Sequence, residues 1–412
     1  MCEVDVCVVG LGYIGLPTSL VLATNGSKVH GVDVADSVTS RLQAGLATFE
    51  EPGLQDALDA AIGTDNLTVS DRTVPASTYI IAVPTPIGSD KSPDTSYIQA
   101  AAVQIAGHIQ PGGLVILEST SPVGTTEFVA KTIYSLRPDL DSGDLAFAHC
   151  PERVIPGSML REITVNDRIV GGLNPQDAAR AATLYRTFCT GEVHLTDART
   201  AEITKLAENS FRDVNIAFAN ELSMVAEGLG IDPWEVISLA NKHPRVNILQ
   251  PGPGVGGHCI AVDPWFLISS APNETKLIKA ARIVNDFKPS FVSEKIKREL
   301  ESSDGTSVAI LGLAFKANVD DLRGSPSVEI VEELASSRPD LLIRVVEPFI
   351  TDLPSNFRQY SNIRLDSLEA CLENEELIVL LVDHDLFKKV DMSLLATKRI
   401  IDTRGMWREL NV

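Results

Sequence analysis

The chain has 412 residues, 44% of them hydrophobic, so it is too long for one core and we predict a globular protein of two or three domains. The formal net charge of −20 argues against nucleic acid or anionic lipid as a partner, and no dense cluster of Lys and Arg offsets it. The sequence offers neither an apolar window long enough for a membrane helix nor a basic flank typical of a signal peptide, so we predict a cytoplasmic protein that contacts no membrane.

The first predicted element is a buried strand that breaks into glycines and continues as a helix, VDVCVVGLGYIGLPTSLVLATNG. Gly10, Gly12 and Gly15 form a GxGxxG pattern that permits a tight turn, close approach to a pyrophosphate, and close packing of helix on sheet. Asp33 ends the next predicted strand, where a carboxylate can accept hydrogen bonds from ribose hydroxyls. That acid would repel a 2′-phosphate, so we predict NAD. Arg41 leaves NADP open, and FAD shares the fingerprint without further support.

Further apolar runs follow at intervals, separated by stretches of helical length. They are KVHGVDV, LTVS, YIIAVP, LVILEST, FAHCPER and IVGG. Strands without clean alternation are typical of a parallel sheet covered by helices on both faces, so we predict a doubly wound domain over residues 1–198. The hydroxyl-rich turns at 82–86 and 118–125 follow strands and are expected to line its ligand crevice, although Thr-Pro and Ser-Pro also begin ordinary turns.

The next region, 199–300, is predicted to be helical. Some 30 residues without proline, closed by Gly228 and Gly230, predict one long helix. A second helical stretch, TKLIKAARIVNDFKPSFVSEKIKREL, contains Pro289, which is expected to bend or interrupt it.

One face of the long helix carries Lys205, Asn209 and Arg212, spaced i, i+4 and i+7. A solvated polar stripe is one interpretation of this triplet. The other is a binding face, because two cations beside an amide favour an anionic partner such as a phosphate or a forming carboxylate.

The strand pattern returns in TSVAILGLAFK, RVVEP, ELIVLLVDH and RIIDTRG, which predicts a second α/β domain over residues 301–412. The predicted fold class is therefore α/β, with two Rossmann-like doubly wound domains, 1–198 and 301–412, joined by a central long-helix region, 199–300.

The cysteines lack the spacing of a zinc site, so we predict no metal. They are Cys2, Cys7, Cys150, Cys189, Cys259 and Cys371. Cys259 differs from the rest because it follows four glycines and two prolines in PGPGVGGHCIAVDPW. A thiol in such a loop is an activated nucleophile if nearby cations, for which His258 and Lys205 are candidates, stabilise its thiolate; the alternative is an inert thiol packed inward.

A nucleophilic cysteine in an NAD enzyme has a specific chemical meaning. Oxidation of an alcohol by hydride transfer gives an aldehyde, which a thiolate can capture as a thiohemiacetal. A second hydride transfer then gives a thioester that water hydrolyses. One site can thus convert an alcohol to a carboxylate with two NAD.

Seven ordered motifs cover nearly the whole chain: GLGYIGLP, AVPTP, ESTSPVGTT, CPERVIPG, KLAENSFRDVNIAFANE, HPRVNILQPGPGVGGHCIAVDPWF and GLAFKANVDDLRGSP. Together they resemble the UDP-glucose/GDP-mannose dehydrogenase family of four-electron, NAD-dependent nucleotide-sugar oxidases. The resemblance implies an NAD domain, a central helix that forms a homodimer or higher homo-oligomer, and a C-terminal domain for the UDP-sugar. The central motifs favour UDP-N-acetyl-D-mannosamine, oxidised at C6 for surface polysaccharide synthesis, ahead of UDP-N-acetylglucosamine, UDP-glucose and GDP-mannose.

The same resemblance implies roles for individual residues. Those with catalytic roles are the nucleophile Cys259, the proton-transferring Lys205 with Asn209, the water-positioning Thr120 and Asp263, and Glu152 for proton handling. Those for NAD are Gly10, Gly12, Tyr13, Ile14, Gly15, Asp33, Thr85, Thr120 and Arg323. Those for the nucleotide sugar are Arg153, Val154, Lys205, Asn209, Arg212, His243, Arg245, Gly256, Phe315 and Lys316, some of them from a partner subunit.

The chain departs from the family pattern in two places. PERVIPGSM stands where UDP-glucose dehydrogenases have a segment of the FLxEG type, which favours an N-acetylated sugar. Gly324 follows Arg323 where an acid is expected. Two other activities share the NAD fingerprint: a single-step β-hydroxyacid-type dehydrogenase, which needs no thiol, and a non-catalytic NAD-sensing protein, which needs none of the reactive residues.

Overall fold

The computed structural model describes residues 4–303 and 305–408. The chain forms two compact units: the first contains the described residues up to Glu208 together with Trp265–Pro272, and the second contains Asn209–Pro264 and the described residues from Asn273 onwards. Residues 1 and 412, the outer limits of the predicted domains, and Cys2 lie outside the described residues. The predicted boundaries at 198 and 300 stay predictions.

An eight-stranded sheet forms the centre of the first unit, in the order β3-β2-β1-β4-β5-β6-β7-β8. Its strands are β1 (Val4–Val9), β2 (Val29–Val32), β3 (Leu67–Ser70), β4 (Ala76–Ile81), β5 (Leu114–Leu117), β6 (Ala146–His149), β7 (Arg168–Gly172) and β8 (Val193–Asp197). Neighbouring strands are parallel except β6 and β7. The strand order reverses between β1 and β4, so their carboxyl ends flank a crevice of the kind in which doubly wound sheets bind ligands.

Helices cover both faces of this sheet. They are α1 (Gly15–Thr24), α2 (Asp36–Gln43), α3 (Leu54–Gly63), α4 (Ser96–Ala106), α5 (Thr125–Leu136), α6 (Met159–Val165) and α7 (Pro175–Tyr185). Alternate residues of β1 enter different buried clusters: Val6 and Val8 pack with α1 and α3, whereas Cys7 and Val9 pack with α4 and α5. Burial on both faces explains why these strands lack clean polar alternation.

The central helices are α8 (Ala198–Gly228), α9 (Pro233–Ala240), α10 (Asp263–Ser270) and α11 (Lys276–Glu301). The long helix predicted to close at Gly228 is thus confirmed as α8. Of the bend or interruption predicted at Pro289, the interruption was wrong, because α11 continues through this buried residue, and the bend stays a prediction. Tertiary packing supplies most of a helix's stability, and it outweighs the hydrogen bond that proline cannot donate here.

The second unit contains a five-stranded, fully parallel sheet in the order β11-β10-β9-β12-β13. Its strands are β9 (Ser307–Leu311), β10 (Leu342–Val346), β11 (Ile363–Leu365), β12 (Leu377–Leu380) and β13 (Arg399–Asp402). The helices are α12 (Pro326–Ser337), α13 (Leu368–Asn374) and α14 (Met392–Leu395), with 3₁₀ helices at Ser355–Gln359 and Phe387–Lys389. Two doubly wound sheets and a long central helix confirm the predicted fold class.

Candidate active site

In the glycine turn after β1, two of the three glycines leave no room for a side chain, and the third does. Gly10 has φ +96° and donates its N–H to the Val32 carbonyl at 2.7 Å. A Cβ would lie 2.6 Å from the Ala82 carbonyl oxygen at Gly10, and 1.8 Å from the Gly10 oxygen at Gly15. At Gly12, no described atom beyond the neighbouring residues lies within 4 Å of such a Cβ. The fold itself therefore requires the outer two glycines, whereas Gly12 leaves room for a ligand.

Asp33 lies beside this turn with its carboxylate orientation fixed. Its Oδ2 accepts from the Leu11 N–H and its Oδ1 from the Ala35 N–H, both at 2.9 Å. Each oxygen keeps a lone pair for a ribose hydroxyl. The first turn of α1 has no acidic residue and no side-chain cap, so its N–H groups suit a pyrophosphate. Tyr13, with its ring centroid 4.3 Å from that of Phe49, stands at 45% exposure in the same turn.

Two buried hydroxyls at the ends of β4 and β5 also fit a ligand. The Oγ1 of Thr85 and the Oγ of Ser121 have no hydrogen-bond partner among the described residues. Buried polar groups are nearly always paired, so these atoms fit a bound molecule that supplies the partner. Thr120, the residue before Ser121, is half-buried. The glycine turn, Asp33 and these hydroxyls together fit NAD, and Ser121 is a candidate that sequence reasoning missed.

Replacing Asp33 by asparagine is expected to raise the Kd for NAD roughly ten- to hundredfold, because hydrogen bonds to a charged group contribute about 1.5–3 kcal/mol. Discrimination against NADP should fall as well, because the repelling charge is gone. Isothermal titration with both dinucleotides measures this. Asp36→Asn, in the exposed first turn of α2, is the matched control, and equal effects of the two substitutions would contradict the assignment.

Behind the crevice lies a buried carboxyl that sequence reasoning did not select. Glu118 is 1% exposed and accepts hydrogen bonds from the Tyr185 hydroxyl at 2.7 Å and the Thr18 hydroxyl at 3.2 Å. Burial raises the pKa of Glu118 to about 7. Because Thr18 belongs to α1, this carboxyl ties the nucleotide-binding helix to the end of β5.

Glu152, predicted to handle protons, is part of a buried ion pair. Its Oε2 lies 2.9 Å from Arg168, which is 4% exposed, and its Oε1 accepts from the Arg153 N–H at 2.6 Å. The Arg153 guanidinium contacts the Glu208 carboxylate at 2.7 Å, and Val154 packs against the apolar core. Glu152 is therefore a fixed carboxylate, and its part in proton transfer stays a prediction.

The start of α8 is fastened to the turn that follows β5. Glu202, 1% exposed, accepts from the Gly124 N–H at 2.6 Å and from the N–H and hydroxyl of Thr126 at 2.8 and 2.7 Å. It thereby caps α5 from another helix. Lys205 lies about one turn further along α8 and is half-buried.

In the second unit, three predicted catalytic residues lie together. Cys259 is exposed, and its carbonyl accepts from the N–H groups of Val262 at 3.0 Å and Asp263 at 2.9 Å. Asp263 begins α10 and is 3% exposed, with its Oδ2 accepting from the Asn209 amide at 2.5 Å. Cys259 thus lies on a short, backbone-bonded turn that leads directly to a buried carboxylate–amide pair.

The glycines before Cys259 pack against the chain itself. A Cβ on Gly256 would lie 2.5 Å from the Gly324 carbonyl oxygen, and one on Gly257 would lie 2.9 Å from the Phe315 ring. Both close approaches are to residues 315–326, and the place of Gly256 beside the nucleotide sugar stays a prediction. Gly324 has φ +60°, which favours glycine and accounts for its presence where the family pattern has an acid.

Two cationic side chains near the Cys259 turn, Arg323 and His258, lie beside the carboxylate of Asp321. Arg323 donates to both oxygens of Asp321 at 2.8 Å, and His258 Nε2 lies 3.5 Å from Asp321 Oδ2. The pKa of Asp321 is lowered, chiefly by the hydrogen bond from Arg323. The Lys316 ammonium lies 5.8 Å from the centroid of the Phe315 ring. The other predicted substrate residues of this unit are exposed: Arg212, His243 and Arg245.

Within residues 4–303 and 305–408, no helix is both long and apolar enough to cross a membrane. The same residues contain no cluster of three or more His, Cys, Asp or Glu side chains that could hold a metal ion.

Sequence profiles of three domains match the chain in order. They are the NAD binding domain of the UDP-glucose/GDP-mannose dehydrogenase family at residues 4–189, its central domain at 199–287, and its UDP binding domain at 309–409.

Whole-chain relatives agree with these matches. The NDP-N-acetyl-D-galactosaminuronic acid dehydrogenase of Ralstonia nicotianae is 49% identical over 409 residues, covering 98% of this chain and 96% of that protein. The UDP-N-acetyl-D-mannosamine dehydrogenase of Campylobacter jejuni is 49% identical over 393 residues, covering 93% and 96%. The structure of a Pyrococcus horikoshii UDP-D-ManNAc dehydrogenase superposes with a TM-score of 0.87 at 39% identity, covering 98% and 96%. The predicted resemblance is confirmed: the chain belongs to the UDP-glucose/GDP-mannose dehydrogenase family and is an NAD-dependent UDP-sugar dehydrogenase.

Proposed function

We propose that this enzyme oxidises C6 of UDP-N-acetyl-D-mannosamine to the carboxylate of UDP-N-acetyl-D-mannosaminuronate, in two successive steps at one site. The observation that carries the proposal is the exposed Cys259 on the turn that leads to the buried Asp263–Asn209 pair. An enzyme that stopped at the aldehyde would need no such thiol. The product serves surface polysaccharide synthesis in this proposal.

The overall balance is one alcohol, one water and two NAD⁺ giving one carboxylate, two NADH and three protons. NAD, when bound, accepts one hydride in each oxidation. Gly12, Asp33 and Thr85 would hold it, by the fit described above.

Each step of the chemistry on the sugar has a proposed residue. Lys205, with Asn209 one turn away on the same face of α8, takes the C6 hydroxyl proton in the first oxidation. The Cys259 thiolate then attacks the aldehyde carbon and forms a thiohemiacetal, which becomes a thioester in the second oxidation. Water positioned by Asp263 and Thr120 attacks the thioester carbon, and the sulfur leaves as the thiolate.

The buried geometry supports a positioning role for Asp263. Its carboxylate accepts from the Asn209 amide and its N–H donates to the Cys259 carbonyl, so Asp263 is fixed to the turn that carries the nucleophile. An ordered carboxylate near the thioester orients water better than a mobile one does.

The proposed sugar is one of several N-acetylated epimers. Relatives named for UDP-N-acetyl-D-mannosamine and for an N-acetyl-D-galactosaminuronic acid are both 49% identical to this chain. The second candidate substrate is therefore UDP-N-acetylgalactosamine, and both candidates carry an N-acetyl group. The segment PERVIPGSM agrees with an N-acetylated sugar.

The deciding experiment is an NADH-production screen on five substrates: UDP-N-acetylmannosamine, UDP-N-acetylgalactosamine, UDP-N-acetylglucosamine, UDP-glucose and GDP-mannose. UDP-N-acetylglucosaminuronate, which has no C6 hydroxyl, is the control for background NADH production. We expect the highest kcat/KM with UDP-N-acetylmannosamine and two NADH per molecule consumed. A stoichiometry of one would overturn the two-step mechanism. Comparable rates on another N-acetylated epimer would overturn the sugar assignment and leave the mechanism intact.

We also propose that α8 forms a homodimer interface. Phe211, Phe218 and Val225 follow one another at seven-residue spacing along α8 and are 70%, 54% and 52% exposed. Large apolar side chains aligned on one helix face are typical of an interface, and a self-complementary face gives a twofold dimer.

Phe218→Asp is expected to shift the enzyme from dimer to monomer, because it places a charge in the middle of this apolar stripe. Size-exclusion chromatography with light scattering measures the mass directly. Tyr97→Asp, at a 49% exposed aromatic residue in the first turn of α4, is the control and should leave the mass unchanged. A Phe218→Asp protein with the wild-type mass would refute the interface.

A further inference from the structure

The second unit contains a cavity of about 1310 Å³ that the proposed reaction does not use. Its walls come from the end of α8, from α9, α11, α14 and β13, from the 3₁₀ helix Phe387–Lys389, and from the segments at 251–252 and after β13. Its large apolar and aromatic lining residues include Trp234, Phe291, Met392, Met406 and Trp407. None of the residues proposed for catalysis is among the described residues that line it. The volume is large enough for a small organic ligand.

A buried cation, Lys288, lines this cavity. Its side chain is on α11 and only 5% exposed, and its ammonium donates to the Ser223 hydroxyl at 2.6 Å and lies 5.1 Å from the centroid of the Phe291 ring. Both partners are neutral. Among the described residues, no ion pair includes Lys288, although burying an unpaired charge is costly. Burial lowers the pKa of this ammonium to about 8.

The other cations of the lining already have carboxylates. Lys295, two turns further along α11, contacts Glu227 at 2.8 Å. Arg408 lies 3.4 Å from Asp232, and Lys388 lies 2.7 Å from Asp385. Lys288 is therefore the lining cation without a carboxylate partner among the described residues, and an entering anion would pair with it. The lining acids Glu227 and Asp232 are paired with these cations, whereas Glu235 and Asp402 have no ion pair among the described residues.

The lining around Lys288 suits a flat apolar group. Phe291 stands one turn from Lys288 on the same helix, and Trp234 also borders the cavity. The Trp234 ring is held against Gly405, where a Cβ would come within 2.6 Å of it. A fixed indole offers a ready surface for a planar ligand, since little side-chain freedom is lost on binding.

We propose that this cavity binds a small organic anion whose single carboxylate or phosphate group pairs with Lys288 and whose planar apolar body packs against Trp234 and Phe291. The site is separate from the residues assigned to UDP-sugar oxidation. Its test therefore needs no turnover, and it succeeds or fails independently of the proposed reaction.

Isothermal titration with four probes tests this. Phenyl phosphate and benzoate carry both features, whereas inorganic phosphate has only the charge and phenol only the ring. We expect phenyl phosphate, benzoate or both to bind at least tenfold more tightly than either single-feature probe. The relative affinities of the two aromatic anions identify which acid the site takes. Failure of both to bind, or binding no tighter than that of phosphate or phenol, would overturn the proposal.

Lys288→Met is expected to weaken binding of the preferred aromatic anion at least tenfold, with folding checked by circular dichroism. Lys295→Met removes a lining cation that already has its carboxylate, and should change the affinity less than threefold. Equal affinities of the wild-type and Lys288→Met proteins would contradict the site.

A measurement on the wild-type protein keeps the test decisive if the Lys288→Met variant does not fold. Acetic anhydride labelling followed by mass spectrometry should show that the aromatic anion slows acetylation of Lys288. Lys279, exposed on the same helix, is the internal reference and should be unaffected. Unchanged labelling of Lys288 at a saturating concentration of the anion would refute the assignment.

Discussion

Cys259→Ser is expected to abolish formation of the sugar acid, with a loss of at least about 10³-fold in acid production, since removing a catalytic nucleophile typically costs that much or more. A serine hydroxyl ionises far less readily than a thiol, so capture of the aldehyde fails at neutral pH. The substitution leaves the backbone bonds from Val262 and Asp263 to residue 259 in place, and the NAD residues lie elsewhere in the chain. The Kd for NAD should therefore be unchanged.

Mass spectrometry of the sugar products, together with NADH absorbance, measures both parts of this result. Cys189→Ser is the matched control, because the Cys189 thiol donates to the carbonyls of Asn166 and Gly191 and a hydroxyl can do the same. Full acid production by Cys259→Ser would show that the second oxidation proceeds without the thiol and would refute the covalent mechanism.

Arg282→Met is expected to destabilise the second unit by about 3–5 kcal/mol, the usual cost of removing one partner from a buried ion pair. Arg282 is 2% exposed, and its guanidinium contacts Asp213, which is fully buried, at 2.6 Å; it also pairs with Asp286. Asn285 donates to the same Asp213 oxygen at 2.8 Å. Without Arg282, the Asp213 carboxylate keeps the hydrogen bond from the Asn285 amide but loses its positively charged partner.

Urea unfolding, followed by the midpoint of the transition that reports the second unit, measures this loss. Burial already raises the pKa of Asp213, with Arg282 opposing that shift, so the pKa should rise further in the variant. The raised pKa means that the protonated, uncharged form is favoured as pH falls. The stability deficit should therefore be smaller at pH 5 than at pH 8.

Two comparisons make the Arg282 experiment specific. Arg298→Met changes an arginine of the same helix that is 63% exposed and only 3.5 Å from Glu227, and should cost little. Asp213→Asn combined with Arg282→Met removes the stranded charge and should recover part of the loss. A double variant less stable than the sum of the two single effects would contradict a charge-based explanation.

The parts of the fold that sequence patterns predicted are those specified locally. The turn at Gly10 to Gly15 is one, because its glycines, flanking strand and following helix are contiguous. The closure of α8 at Gly228 is another. In contrast, β8 (Val193–Asp197) was not predicted, because its side chains are mostly exposed and its sequence VHLTD is partly polar. Likewise, the antiparallel pairing of β7 with β6 depends on the path of the chain rather than on the composition of either strand.

The buried polar pairs of the protein were harder to predict than the glycine turn. Glu118 and Tyr185 are 67 residues apart, and Arg282 and Asp213 are 69 apart. A charged residue on a helix is exposed more often than buried, so no local pattern indicated these pairs. The grouping of Asn209, Asp263 and Cys259 was predicted only through the family motifs, because local spacing does not bring a loop to a helix more than 50 residues away.

The unequal exposure of the cysteines permits selective chemical labelling of one of them. Among those that the structure describes, Cys7, Cys150, Cys189 and Cys371 are buried and Cys259 is exposed. Burial raises the pKa of Cys7 to about 11 and that of Cys150 and Cys371 to about 12, which suppresses their thiolates. A maleimide or chloroacetamide probe should thus attach to the described part of the folded chain at a single atom, the sulfur of Cys259. The same asymmetry makes that sulfur the natural anchor for a covalent inhibitor, and the first point of damage when the enzyme meets peroxide.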